Sequence, residues 1–121
     1  MATFETGATR MTDRNKFDYE GFFSPLVLER RAEYMHKHRS TPDGGFRDSD
    51  NWQLGIPLRA YMKSAWRHFF DWWKLYRGGK AYDAVTGEEL TIEDALCALM
   101  FNAEGFLHEW LKKKREGHDN T

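Results

Sequence analysis

Cysteine is almost absent from this sequence: Cys97 stands alone. One cysteine makes neither an internal disulfide nor a cysteine-based zinc site, which suits a reducing interior. Long apolar runs are missing as well. The longest is far short of a membrane span, and no charged-then-apolar N-terminal signal precedes it. The expectation is a cytoplasmic protein with no membrane partner. Charge of one sign is also lacking. Eighteen Lys and Arg against 19 Asp and Glu give a net charge of −1. A coat for long DNA or RNA needs a concentrated positive field, so no long nucleic acid is expected as partner, while a small phosphate ligand stays open. No glycine-rich phosphate loop, Gly-x-Ser-x-Gly elbow, His-Glu-x-x-His or Glu-x-x-Glu pair occurs.

What the sequence has in quantity is rings. Aromatics make up 16% of 121 residues, with five Trp, five Tyr and nine Phe. That length supports one domain, 1–121, with a core built more from rings than from aliphatics. Residues 1–23 read as an ordered coil pinned by Phe4, Phe17, Tyr19, Phe22 and Phe23, packed along the helices. Ser24-Pro25 then starts a helix, with Ser as N-cap and Pro in the first turn, running 25–38. Thr41-Pro42-Asp43-Gly44-Gly45 is turn chemistry. A second helix spans 57–76 and stops at Gly78-Gly79. It is apolar nearly all round, so it is expected to be the most buried element, with Trp66, Phe69 and Trp73 touching both other helices or a second subunit. Residues 80–90 form a loop around a Val85-Thr86-Gly87 turn, with room for a small hairpin. Thr91 to Asp94 fits a capping box opening a third helix over 92–114, whose inner stripe is Leu96, Leu99, Ala103, Phe106 and Trp110. The fold class is all-α: a small three-helix domain with long ordered loops. Three helices alone would leave some rings in water, so a homo-oligomer is expected, a homodimer first.

The polar exceptions on the second helix cluster. Ser64, Arg67, His68 and Asp71 share one stripe, the geometry of a pocket wall. Arg67 offers a fork for phosphate oxygens, and His68 can donate to phosphate or relay a proton. A solvated strip with one intrahelical ion pair explains the same stripe. In the third helix, Glu93 and Asp94 sit in the first turn, where carboxylates either ligate Mg²⁺ or complement the helix dipole. Asn102 lies about 80° from Asp94 around the axis. It stands among apolar neighbours, and a buried amide needs partners. The loop Arg47-Asp48-Ser49-Asp50-Asn51-Trp52 is dense in groups that bind phosphate, metal or base, and Trp52 could stack on a nucleobase. Turn residues around one core Trp explain that loop equally well. His36 and His38, at the end of the first helix, read first as cations that suit its dipole.

Taken in order, Glu5-Thr6-Gly7-Ala8 with Arg10, Lys16-Phe17-Asp18-Tyr19, Ser24-Pro25, Asn51-Trp52 with Gly55-Ile56-Pro57, Ser64 with Arg67-His68, Glu93-Asp94 and Phe101-Asn102 resemble a phage-associated family. That family is the N-terminal domain type of dATP/dGTP diphosphohydrolases, loosely grouped with MazG-like all-α pyrophosphohydrolases. The resemblance covers nearly the whole chain. It implies hydrolysis of a purine deoxynucleoside triphosphate to monophosphate and pyrophosphate, with Mg²⁺ (or Mn²⁺). It also implies a viral origin, and so a place in the host cytoplasm, where the enzyme reshapes the nucleotide pool.

On that expectation Arg67, His68 and Asn102 are the catalytic candidates. Arg10, Lys16, Asn51, Trp52 and Ser64 bind substrate, and Glu93, Asp94 and Asp71 hold the metal. Arg67 and Asp94 are expected in one pocket, with Arg10 or Lys16 near its mouth. Two other readings stand beside the enzyme. One is a non-catalytic phage protein that binds a nucleotide or a host protein through the same pocket. The other is a structural or assembly protein that uses the aromatic helix as an interface.

Overall fold

The computed structural model of the chain describes residues 2–10 and 15–117. Two short antiparallel strands, β1 (Ala2–Thr3) and β2 (Thr9–Arg10), pair Ala2 with Arg10 and Thr3 with Thr9. Then come a helical turn α1 (Tyr19–Phe22), helix α2 (Pro25–Lys37), a 3-10 turn at Asn51–Leu54, and the two long helices α3 (Leu58–Tyr76) and α4 (Ile92–Arg115). The architecture is all-α. Among the described residues no helix is long and apolar enough to cross a membrane.

Local chemistry sets the boundaries. The Ser24 side chain accepts from the Val27 amide at 3.2 Å, and Pro25 occupies the first turn. In the capping box of α4, the Thr91 hydroxyl accepts from the Asp94 amide at 3.1 Å, and Asp94 accepts from the Thr91 amide at 3.0 Å. The α3–α4 connection does form a small hairpin, with a Tyr82–Glu89 bridge. Asp83 holds its turn by accepting from the Val85 and Thr86 amides at 2.8 Å each. Those bonds keep the Asp83 carboxyl below the usual carboxylate range.

α3 and α4 form an antiparallel helical hairpin, and α2 lies against α4. The helices approach closely where Tyr61, near the start of α3, meets Gly105, just past the middle of α4. Tyr61 is 1% exposed, and a Cβ on Gly105 would clash with its ring at Cε1 and Cζ. Small residues line the seam: Ala95, Ala98 and Gly105 are all buried. Arg30 ties α2 to the first turn of α4, donating to Glu93 Oε1 at 2.7 Å and Asp94 Oδ1 at 3.1 Å. Arg31 pairs with Glu104 one helical stretch further on.

Two expectations fail here. The most buried element is α4, which holds Ala95, Cys97, Ala98, Asn102, Gly105 and Glu109, whereas α3 buries only Tyr61. Close helix packing selects small side chains for the seam, which turns the rings of α3 outward. The N-terminal segment is not a coil packed along the helices. It is a strand pair and a helical turn, and its rings touch one another. Phe17 meets Tyr19 at 6.3 Å and Tyr19 meets Phe23 at 6.4 Å, while all five remain exposed. Residues 11–14 of that segment lie outside the described residues.

Gly105→Ala tests the seam. Overpacking against Tyr61 should lower unfolding free energy by about 1–3 kcal/mol, outweighing the gain of roughly 1 kcal/mol from better helix propensity. Urea unfolding monitored by circular dichroism reads this directly, and a more stable variant would contradict the close approach.

Candidate functional site

The end of α2, the returning loop, α3 and α4 enclose a cavity of about 740 Å³. That volume falls in the range of small-molecule sites, about 300–1,000 Å³. Its walls divide by chemistry. α2 contributes Tyr34, Met35, His36 and His38, and the loop contributes Arg39, Arg47, Asp48, Asn51 and Trp52. Ser64 and His68 come from α3, and Ala98, Phe101 and Asn102 from α4.

The loop is shaped by its two arginines. A Ser40–Phe46 bridge and a Thr41–Gly45 turn fold it back on itself. Arg39 Nε donates to the Arg47 carbonyl at 2.8 Å, and the Arg47 amide donates to the Arg39 carbonyl at 2.7 Å. The Arg39 guanidinium also lies 4.1 Å over the Phe46 ring. One N–H of Arg47 donates to the His38 carbonyl at 3.3 Å. Each guanidinium carries five donors, so both keep donors beyond these bonds. Trp52 stands edge-on to His108 with centroids 4.7 Å apart, fixing one wall.

Of the three histidines that line this space, His38 and His68 differ in how they are held. His38 Nδ1 lies 2.8 Å from the Tyr34 carbonyl oxygen, so that nitrogen carries a proton. His38 Nε2 is then 3.9 Å from Asp83, and the ring packs on Tyr34 at 4.1 Å. Burial, with Asp94 and Asp83 nearby, pushes the Tyr34 phenol up to about 12. His68 is half-buried. Its Nδ1 is 3.8 Å from Asp71 and has no hydrogen-bond partner. Burial pulls its pKa below the ordinary 6.5, against the opposing pull of Asp71. A neutral imidazole at the cavity wall follows, able to accept or donate a proton. Asn102 is buried, and its side-chain amide donates to the Ala98 carbonyl at 2.8 Å.

Of the sequence candidates, Asn51, Trp52, Ser64, His68 and Asn102 come together in this cavity. Arg67 does not line it. One position round from His68, it is exposed and donates to Ser64 at 3.1 Å, so it braces a lining residue from outside. Asp94 is also outside the lining, and the expected Arg67–Asp94 pocket is not formed. Asp94 Oδ1 accepts from Arg30 and Oδ2 from Thr91, while Glu93 Oε1 accepts from Arg30. Both carboxylates already neutralise the Arg30 guanidinium, and Asp71 lies beside His68. The donor set fits an ion-paired helix cap. Among the described residues no group of three or more His, Cys, Asp or Glu is placed to hold a metal ion. Arg10 and Lys16 are exposed and absent from the lining.

Sequence reasoning missed Tyr34, Met35 and Arg39, and undervalued His36 and His38. The signal was present in the basic run His36-Lys37-His38-Arg39, followed eight residues later by Arg47. It resembled a solvated helix end because the fold-back that aims it inward is tertiary. No protein-family model matches the chain, and no curated protein or solved structure does either.

Two substitutions test this geometry. Asp94→Ala removes a cap and the partner of Arg30, and should cost about 1–2 kcal/mol of stability by urea unfolding. Loss of function with unchanged stability would restore Asp94 as a site residue. For His68, the folded pKa lies below the unfolded one, so the unfolded chain takes up the proton first. Its contribution is full above the unfolded pKa of 6.5 and is lost as pH falls through 6.5 toward the folded value. The melting temperature should therefore fall on acidification from neutral pH into that window, and less so in His68→Gln. Equal slopes in the two proteins would remove the account of His68.

Proposed function

We propose that the chain binds a small anionic ligand with a flat aromatic part, a nucleoside phosphate, in the cavity beside His68. The observation that carries this is the lining's charge. Arg39 and Arg47 border the cavity against a single acid among the described lining residues, Asp48, and His36, His38 and His68 add ring nitrogens that can donate, in a protein whose overall charge is −1. Arginine forks recognise phosphate oxygens. Trp52 and Phe101 offer faces for a base, and Asn51 and Asn102 offer the paired donor and acceptor that a base edge needs. Ligand recognition, without turnover built into the pocket, is the function this lining supports best.

Hydrolysis of a purine deoxynucleoside triphosphate to monophosphate and pyrophosphate is the second reading, together with the viral setting and host cytoplasm that the family resemblance implies. His68 favours it. A neutral imidazole with Asp71 close behind can take a proton from water. Glu93 and Asp94 lend it no support.

Titration calorimetry with dATP, dGTP, adenosine and inorganic phosphate separates the contributions. The triphosphates should bind most tightly, and raised salt should weaken them. Arg47→Gln should lose about tenfold in affinity, the equivalent of one charge-assisted contact near 1.4 kcal/mol. No heat with any nucleotide would overturn the proposal. Pyrophosphate release with Mg²⁺ or Mn²⁺ that His68→Gln abolishes would promote the second reading.

A further inference from the structure

The α3–α4 hairpin has two sides, and the structure covers only one of them. At 3.6 residues per turn, Ser64 and His68 fall on one flank of the line through Tyr61, toward the cavity. Met62, Phe69, Trp73 and then Trp66 fall on the other. On α4, Cys97 and Glu104 face α2, through contacts to the Arg30 carbonyl and to Arg31. Leu99 and Phe106 lie on the opposite flank. Because the helices are antiparallel, these two free flanks share one side of the hairpin, away from α2.

That side is apolar and open. Trp66 is 68% exposed, Trp73 53%, Met62 49% and Phe69 45%, while Leu99 and Phe106 are half-buried. None of these positions is charged. The cations of α3, Arg59, Lys63, Arg67 and Lys74, lie farther round. The four exposed α3 side chains alone present roughly 500 Å², taking 150–250 Å² for each large side chain. The largest apolar patch of an ordinary monomer is about 300–600 Å² and often functional, and a standard interface uses about 600–1,000 Å² from each partner. The half-buried Leu99 and Phe106 extend this face to roughly 600 Å², the lower end of what a stable interface uses from each partner.

We propose that this face is the contact between two copies of the chain, which join hairpin to hairpin as a four-helix bundle. A helical hairpin with one bare apolar side is half of such a bundle. A second copy supplies a layer of the same width, equally apolar and free of charge, so that no buried charge is left without a partner. The ridged rings, with Trp66 edge-on to Phe69 at 6.3 Å and Phe69 to Trp72 at 5.8 Å, offer knobs for interdigitation. The cavity opens on the other side of the hairpin, so pairing leaves it accessible and the dimer stands independently of the ligand reading.

Sedimentation velocity at micromolar concentration tests this. The expected mass is twice the 14.3 kDa of one chain. Trp66→Glu combined with Phe69→Glu should raise the dissociation constant more than about a hundredfold, because each copy would place charges in a dry contact. Its far-ultraviolet circular dichroism should stay helical. Wild-type protein that sediments as a monomer, or a double variant that stays dimeric, would overturn the proposal. A wild-type monomer that binds anionic vesicles through Trp66 and Trp73 would assign the face to a lipid surface instead.

Discussion

Everything else in this structure depends on how closely α3 and α4 approach. Tyr61 packs directly on Gly105, and Ala95 and Ala98 keep the rest of the seam narrow. A seam built from small residues brings the helix axes together but buries little side-chain volume. The large side chains of α3 must then go elsewhere, and they go outward. That one constraint produces two surfaces: a cavity where α2 stands off from α3, and a bare aromatic layer on the opposite side.

The cavity exists because α2 is anchored to α4 and not to α3. Arg30 and Arg31 fix it through Glu93, Asp94 and Glu104. The chain must then cross from the end of α2 to the start of α3 over the gap. It does so with a folded-back loop whose two arginines hold each other's backbone. In the proposed reading, structural and ligand-binding duties overlap in these arginines. Their remaining donors border a space large enough for a nucleotide, which is why charge collects there in a protein with almost no net charge.

Much of the fold was legible. The helices run 25–37, 58–76 and 92–115, against 25–38, 57–76 and 92–114 from periodicity and caps, because Ser24-Pro25, Gly78-Gly79 and Thr91 to Asp94 act locally. What failed was long-range. Hydrophobic count makes α3 look central, but it cannot say whether the rings or the small residues meet α4. The stripe Leu96, Leu99, Ala103, Phe106 and Trp110 is regular and apolar, yet the seam follows Ala95, Ala98, Asn102 and Gly105 beside it. Asp94 shows the same division. Its capping role follows from Thr91 three residues away, while its ion pair with Arg30 spans 64 positions and leaves no trace in the sequence. In the site, Ser64, His68, Asn102 and Trp52 were found as polar or aromatic exceptions to local pattern. The cations of α2 were not, because a basic helix end is ordinary until a loop folds back over it.

The central claim is that the cavity between α2, the loop and the hairpin is where a nucleoside phosphate is recognised. A ¹⁵N-correlation titration of the labelled chain with dATP reads that claim residue by residue. The account predicts saturable shifts at the Trp52 indole and at the amides of Arg39, Arg47 and Asn102, with Trp66 and Trp73 unmoved. Saturable shifts centred on the Trp66–Trp73 face, or on Arg30 and Asp94, would contradict it.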